Sequence, residues 1–321
     1  MSTRRCIMGA LAGIAVAAAA HADTVLIGTQ FSSILAYNTE TGAATFRGFC
    51  AGPVHSMAVI GDTLYLGDDF GSVYSFDLNT NLLTGAFPVS VDATAMATDG
   101  EVLFIADSGG EIQKVDPQTG AVLDTLQTQF GQLTSLGVHW GYLYNGGLST
   151  VAERASLFDD FDASSFDIFS VCGGAINSMT FSGIKVILGS TNGTIYRYDE
   201  FHGDNIGYYA GGTDSVGVAA LTGNRLLIAD SSGQLLQVDG ETGDVLMETN
   251  VGEPIGALLA LDVGAACPLD LDLSGILDLG DVQLFIMLFL QNRNGADLTG
   301  DGVLDIADVG EFVSQFVVGC P

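Results

Sequence analysis

Positive charge is scarce in this sequence. Only nine of the 321 residues are lysine or arginine, against 38 aspartates and glutamates, so the formal charge at pH 7 is −29. Phosphate backbones and anionic lipid headgroups are both bound through clustered basic side chains. The composition therefore argues against nucleic acid and membrane surfaces as partners, whereas divalent cations suit the excess of carboxylates.

Histidine is scarce too, and no catalytic arrangement is recognisable. Of the four histidines, His55, His139 and His202 do not stand at metal-ligand spacing from one another, and His21 lies close to the N-terminus. We therefore expect a binding or structural protein rather than an enzyme. The open alternative is a lyase or a glycan-active hydrolase, and two carboxylates about 5–10 Å apart at the mouth of a central channel would favour the hydrolase.

Long apolar runs are missing, except for one short stretch near the N-terminus. Residues 1–22 combine Arg4 and Arg5, an apolar stretch over 7–20 and the small-x-small sequence Ala20-His21-Ala22, which are typical of a cleaved signal peptide. The stretch is shorter than the roughly 20 residues of a membrane span. Residues 3–8 also resemble a twin-arginine signal, so two export routes stay open. We expect an exported protein in the periplasm, at the cell surface or outside the cell, with seven basic residues against 38 acidic ones after cleavage.

What the sequence does contain is an internal repeat. A short strand-like phrase recurs six times, 39 to 43 residues apart, at 23–28, 61–67, 100–106, 140–144, 183–189 and 223–229. A polar turn follows each phrase, and then a segment in which apolar and polar side chains alternate, as in a half-buried strand. Several of these segments close with Asp or Asn followed three residues later by Thr-Gly, a pattern that predicts a β-hairpin.

The repeat predicts a mainly β fold, a six-bladed β-propeller over 23–262. One four-stranded sheet cannot bury both of its faces, whereas radial packing of several sheets buries them all. A further strand rich in small residues precedes each phrase except the first, and a sixth copy follows the last unit at 255–261. We therefore predict that 255–261 pairs with 23–28 and joins the two ends of the ring.

The phrases and the Asp-x-x-Thr-Gly hairpins resemble the quinoprotein-like and YVTN or WD40-like propeller superfamily. The resemblance implies an architecture only. Trp140 is the one tryptophan, so the tryptophan-docking motifs of quinoprotein dehydrogenases are not matched, and the Trp-Asp signature of WD40 blades is absent. No family active site transfers to residues of this chain.

A second duplication lies in residues 263–321, which we call the tail. Two twelve-residue segments, 270–281 and 297–308, share one frame. Calcium-binding loops supply oxygen ligands at positions 1, 3, 5, 7, 9 and 12, with glycine at position 6. The matching residues, with a main-chain carbonyl at position 7, are Asp270, Asp272, Ser274, Ile276, Asp278 and Asp281, and then Asp297, Thr299, Asp301, Val303, Asp305 and Asp308. The pattern predicts two calcium ions, bound with dissociation constants of about 10⁻⁴ to 10⁻³ M.

A helix-like stretch follows each loop, at 282–291 and 309–317, and none precedes it. Loop and helix in duplicate resemble the type I dockerin module, and Gly319-Cys320-Pro321 resembles the end of a dockerin-like variant of exported bacterial proteins. The resemblance covers 267–321 and implies docking onto a protein partner, either cohesin-like or another surface protein. The apolar run 284–290 is a candidate docking face, although packing of the two helices on each other explains most of it.

Position in the repeat also suggests a site in the central channel. His55-Ser56 and Asn177-Ser178 occupy the same place in two blades that lie opposite each other in a six-fold ring. They could line the mouth of the central channel and bind a ligand of unknown identity, or simply bond to their neighbours.

Cys267 and Cys320 bracket the tail, which predicts a disulfide in an exported protein. A bridge between Cys50 and Cys172 is not expected, because opposite blades lie further apart than the roughly 7 Å that a disulfide allows.

Overall fold

The structure is a computed structural model that describes residues 23–89, 92–129, 131–157, 166–212, 214–261, 269–271, 277–291 and 293–319. Within these residues, 24 strands form six antiparallel sheets of four strands, which confirms the six-bladed β-propeller. The predicted signal peptide and both cysteines of the predicted disulfide lie outside the described residues.

The strands of each blade are given from the ring axis outward. Blade 1 contains β24 (Ile255–Ala260), β1 (Thr24–Thr29), β2 (Ser33–Asn38) and β3 (Ala43–Phe49). Blade 2 contains β4 (Ser56–Ile60), β5 (Thr63–Gly67), β6 (Ser72–Asp77) and β7 (Leu82–Pro88). Blade 3 contains β8 (Ala95–Thr98), β9 (Leu103–Ala106), β10 (Glu111–Val115) and β11 (Val122–Gln127).

The second half of the ring repeats this arrangement. Blade 4 contains β12 (Leu133–His139), β13 (Tyr142–Gly147), β14 (Val151–Ser156) and β15 (Asp167–Val171). Blade 5 contains β16 (Ile176–Ser182), β17 (Lys185–Ser190), β18 (Thr194–Asp199) and β19 (Asn205–Ala210). Blade 6 contains β20 (Gly217–Leu221), β21 (Arg225–Ala229), β22 (Gln234–Asp239) and β23 (Val245–Asn250).

The ring closes as predicted, through the inner strand that follows the last repeat. Strand β24 pairs antiparallel with β1, with Leu26 opposite Leu259, so both ends of the propeller share blade 1. Asp23, which is almost completely buried, bonds to the Arg225 guanidinium at 3.0 Å and accepts the hydroxyl of Thr222 at 2.6 Å, both in blade 6. A strand pairing and a buried ion pair therefore both lock the first blade to the last.

Apolar side chains fill the spaces between blades rather than a single centre. Six separate clusters of buried residues each lie between two neighbouring blades, and one of them joins blade 6 to blade 1 through Leu227 and Ile27. Because every sheet buries both faces against its neighbours, no blade is a self-contained core. The ring is consequently expected to unfold as one unit.

The Asp-x-x-Thr-Gly pattern has a double role at the outer hairpins. The Asp239 carboxylate accepts hydrogen bonds from the backbone N–H groups of Glu241 and Thr242, both at 2.9 Å. These amides, Thr242 first, hold the pKa of Asp239 below its usual value. Gly243 follows with φ 76°, and a Cβ there would lie 2.5 Å from the Tyr209 ring of blade 5. The glycine therefore supplies both the turn geometry and the room for the neighbouring blade.

Two helices lie in the tail. They are α1 (Leu279–Leu290) and α2 (Ile306–Val318), joined by a turn that includes the short 3-10 helix Asn294–Ala296. Both α-helices begin three residues before the stretches that the sequence indicated, because the last acidic residues of each loop cap the helix. No helix among the described residues is long and apolar enough to cross a bilayer.

Candidate functional site

The two loops of the tail end in the same structure. Asp278 and Asp305 are the N-cap residues of α1 and α2, and each side chain accepts a hydrogen bond at 2.6 Å from the backbone two residues on. Asp281 and Asp308 complete a capping box by accepting from the N-cap backbone N–H, at 2.8 and 2.9 Å. The sequence duplication is therefore a structural duplication, with loop positions 9 and 12 used identically in both copies.

The carboxylates at position 12 also hold the loops closed. Asp281 accepts from the backbone N–H of Leu271 at 2.8 Å, and Asp308 accepts from that of Thr299 at 3.1 Å. Neither carboxylate residue has any exposed surface. The backbone N–H of Asp305, followed by that of Thr299, lowers the pKa of Asp308, although burial opposes the shift. Asp308 is thus stabilised as an anion before any cation is considered.

The second loop lies wholly within the described residues. The Asp297 carboxylate accepts from the backbone N–H groups of Gly300 and Gly302, both at 2.8 Å, and Asp301 accepts from that of Val303 at 2.9 Å. Gly302 is at the position that calcium loops reserve for glycine, and its φ of 79° is left-handed. The backbone thus has the sharp turn that the sequence predicted.

The donor set of the second loop fits a hard cation in type and order. In the present conformation its carboxylates face backbone amides, and among the described residues no three acidic, histidine or cysteine side chains converge at metal-binding distance. Coordination of one cation by all of these carboxylates requires their side chains to move closer together, whereas the amide bonds leave acceptor positions open on each carboxylate. In the first loop Asp270 is buried, whereas Asp272, Ser274 and Ile276 lie outside the described residues.

Packing between the helices uses five of the seven residues of the apolar run at 284–290, with Met287 and Phe289 partly buried in the shared cluster. Leu284, Phe285 and Leu288 are buried, and the ring of Phe285 stacks on that of Phe312 in α2 at 4.2 Å between centroids. Most of the run therefore holds the two helices together.

Other apolar side chains form a duplicated exposed stripe. Leu279, Ile286 and Leu290 on α1 are 67%, 50% and 79% exposed, and their counterparts Ile306, Val313 and Val317 on α2 are 80%, 54% and 80% exposed. Each stripe member has its counterpart 27 residues later, which is the spacing of the loops. We call these two sets the stripe residues. The run 284–290 contains only Ile286 and Leu290 of these six residues, because the stripe follows helical spacing rather than adjacency.

One side of the tail is fixed to the propeller. Arg293, 5% exposed, places its guanidinium 3.8 Å from the ring centroid of Tyr142 in β13, a cation–π contact. Gly295 lies against Trp140, since a Cβ there would be 2.5 Å from the indole ring. Phe201 of blade 5 packs against the same apolar cluster as the tail helices. Blades 4 and 5 therefore form the seat of the tail.

The central channel holds the four residues that the sequence placed there. His55, Ser56, Asn177 and Ser178 line a cavity of about 80 Å³ on the ring axis, with inner-strand residues of all six blades. Of the described residues that line it, none is a carboxylate. The volume is well below the roughly 300 Å³ of a typical organic-ligand site.

Hydroxyl groups around the channel connect neighbouring blades. Ser56 donates to the Ala93 carbonyl at 2.7 Å, and Thr94 donates to the Leu133 carbonyl at 2.8 Å. The hydroxyls of Ser178 and Ser215 are 3.5 Å apart. His55 bonds through Nε2 to Asp69 at 3.0 Å. These contacts give the polar residues a structural use that needs no ligand.

The cysteines of the propeller are free and buried. Cys50 and Cys172 form no disulfide, as expected from their places in the ring. Burial raises the pKa of both thiols. Because the thiolate is the reactive form, neither cysteine is a candidate nucleophile.

Comparison with known proteins supports the propeller. The family described as outer membrane protein assembly factor BamB matches residues 4–136, a stretch that ends inside β12 and includes blades 2 and 3 completely. A chain in the crystal structure of a nidogen/laminin complex is 13% identical, with a TM-score of 0.65 over 74% of this chain and 97% of that chain. No curated protein matches. At this identity the likeness establishes the fold alone, and a common fold does not identify a function.

Proposed function

We propose that this chain is an exported, non-enzymatic binding or scaffold propeller, attached through its tail to a protein partner at the cell surface or outside the cell. Calcium bound in the two loops would hold the tail in its docking conformation. The observation that carries the proposal is the duplication of the tail, in which loop turns, helix caps and stripe residues all repeat. The resemblance to dockerin modules supports the same reading.

The exported location rests on sequence and on similarity. Residues 1–22 have the composition of a signal peptide, and the matching family is named for outer membrane protein assembly. The strong negative charge suits a protein that binds divalent cations in saline surroundings, because cations neutralise carboxylates and salt screens the repulsion between them.

Asp270, Asp272, Asp278 and Asp281 with Ser274 and the Ile276 carbonyl would hold one ion, and the six matching residues of the second loop the other. A bound calcium ion would supply positive charge among carboxylates that otherwise repel one another. Positions 9 and 12 cap the helices, whereas Asp301 at position 5 is exposed and accepts one hydrogen bond, from the backbone N–H of Val303. The exposed Asp301 is accordingly the clearest residue to test.

Replacing Asp301 with alanine, which has no ligand oxygen, is expected to remove one of two calcium sites. Isothermal titration of the full chain, cleared of metal beforehand, is expected to show two sites for the native protein and one for D301A, with dissociation constants of about 10⁻⁴ to 10⁻³ M. Asp62→Ala, on an exposed turn of blade 2, is the matched control and keeps both sites. Absence of calcium binding by the native chain, or equal stoichiometry in D301A, contradicts the calcium proposal.

Charging both stripes is expected to abolish partner binding without unfolding the tail. Ile286→Asp combined with Val313→Asp places charges on exposed positions of α1 and α2 and is expected to weaken retention on envelope fractions of the producing cell by at least about tenfold. The control Leu246→Asp makes the same change at a propeller position that is 54% exposed. Retention is measured with calcium and with chelator. Equal retention of all three proteins, or retention that ignores chelator, would overturn calcium-dependent docking.

A further inference from the structure

A cleft lies where blades 3 and 4 meet the tail, and it shares no lining residue with the central channel. Its volume is about 520 Å³, within the roughly 300–1,000 Å³ of small-molecule sites. Asp99 and Glu101 of blade 3, His139, Trp140 and Leu157 of blade 4, and Gly295 of the tail line it. The tail therefore contributes to the cleft.

One wall of the cleft is held rigidly from behind. His139 bonds through Nδ1 to the Glu200 carboxylate at 2.8 Å, and the Tyr144 hydroxyl donates to the other oxygen of that carboxylate at 3.0 Å. Glu200 has no exposed surface. The imidazole stacks between Trp140, at 4.2 Å, and Phe181, at 4.6 Å. Burying a carboxylate requires such partners, and here they fix the ring that faces the cleft.

The same wall contains a residue in an unusual backbone conformation. Trp140 has φ 43° at the first position of the turn between β12 and β13, where blades 2 and 5 have Gly61 and Gly183 at φ 57° and 54°. A side chain in this region costs roughly 1–2 kcal/mol. Contacts of the indole with Gly295, His139 and Phe201 offset that cost and hold the side chain in the cleft.

The opposite wall carries the charge. Asp99 and Glu101 are exposed residues of the turn between β8 and β9. One oxygen of Asp99 accepts from the backbone N–H groups of Glu101 and Val102, at 3.0 and 2.9 Å, which orients the carboxylate. Among the described residues that line the cleft there is no lysine or arginine. Two carboxylates thus face an apolar wall of Trp140, Val138 and Leu157 without a countercharge.

We propose that this cleft binds an organic cation, a protonated amine on a short aliphatic stem, with Asp99 and Glu101 as the anionic partners of the amine. The stem would lie against Leu157, Val138 and the edge of Trp140. Anions are repelled by both carboxylates. A neutral sugar would require a free aromatic face, whereas His139 and Phe201 lie over the Trp140 ring.

The single tryptophan of the chain makes the proposal directly measurable. Trp140 is the only source of indole fluorescence, so titration of the full-length protein reports on this cleft. Butylamine is the free-amine probe, a Gly-Lys-Gly peptide presents the same group on a polypeptide, and butanol is the neutral probe of equal stem length. We expect saturable changes with the amine probes at about millimolar dissociation constants, and none with butanol.

Charge removal in the cleft provides the matched variants. Glu101→Gln keeps the size and the exposed position of the side chain and is expected to weaken amine binding about threefold to tenfold, whereas Glu40→Gln, on an exposed hairpin of blade 1, leaves it unchanged. Stronger binding of the peptide than of butylamine indicates a protein lysine as the natural ligand, and the reverse indicates a free amine. Equal affinity of butanol and butylamine, no saturation with either amine probe, or unchanged affinity in E101Q overturns the proposal.

Discussion

Replacing Gly256 with alanine is expected to destabilise the propeller by about 3 kcal/mol or more. Gly256 lies in β24, beside the bulge at which β24 pairs with Gly28 and Thr29 of β1. A Cβ at Gly256 would be 2.0 Å from the carbonyl oxygen of Val54, on the segment that leads into blade 2. The obstacle is backbone, so no side-chain rotation relieves it, and the closing strand must move away.

A second glycine, in the loop between β23 and β24, separates steric conflict from backbone strain. Gly252 has φ 80°, and a Cβ there would meet nothing within 4 Å. Gly252→Ala is therefore expected to cost only the roughly 1–2 kcal/mol of a left-handed alanine. Urea unfolding, followed by far-ultraviolet circular dichroism, measures both variants. If Gly256→Ala unfolds at the same urea concentration as Gly252→Ala, the ring does not depend on tight closure at this point.

Sequence alone was sufficient for the propeller because its signals are local and repeated. The hairpin at Asp239 requires a carboxylate, a left-handed glycine and an alternating strand, all within a few residues. Ring closure followed from counting, since β24 was the only inner strand without a following unit. Blade 2 has Asn81 with φ 59° at the glycine position and still forms the hairpin, which shows that the aspartate carries more of the signal.

The seat of the tail could not be predicted in this way. Arg293 packs on Tyr142, and Gly295 on Trp140, across about 150 residues of chain. Such contacts depend on complementary shape between distant segments and leave no periodic trace. The one local hint is Trp140 at a turn position that blades 2 and 5 fill with glycine. Its contact with Gly295 is seen only in the structure.

The predicted calcium loops show a different limit of prediction from sequence. A pattern of acidic residues predicts ligands, yet Asp278 and Asp305 also satisfy the rules for helix N-caps, and the structure uses them so. Likewise His55 and Ser56 were placed correctly at the channel, but their bonds to Asp69 and Ala93 were not foreseeable. One side chain can fit two roles in sequence, and only geometry shows which partners it has.

One buried acid in blade 4 lacks the hydrogen-bond partners that buried acids such as Asp23 and Glu200 have. Glu153 in β14 is 1% exposed and lies opposite Asn145 of β13, and neither oxygen of its carboxylate has a hydrogen-bond partner among the described residues. Ala155, two residues further along the same strand, belongs to the core between blades 3 and 4, so Glu153 points into that core. Burial raises the pKa of Glu153, and the nearby Asn145 amide opposes the shift.

Glu153→Gln is therefore expected to stabilise the protein at pH 7, by about 1–3 kcal/mol. Because folding raises this pKa, the folded chain keeps the proton to a higher pH than the unfolded chain. The contribution of Glu153 to stability is thus most favourable below the ordinary glutamate pKa of about 4.3 and is lost as the pH rises through the raised value. Urea midpoints of native and E153Q proteins are expected to differ at pH 7 and to converge near pH 4, with Glu40→Gln unchanged at both. A native protein at least as stable as E153Q at pH 7 would mean that the carboxylate is stabilised in place as an anion.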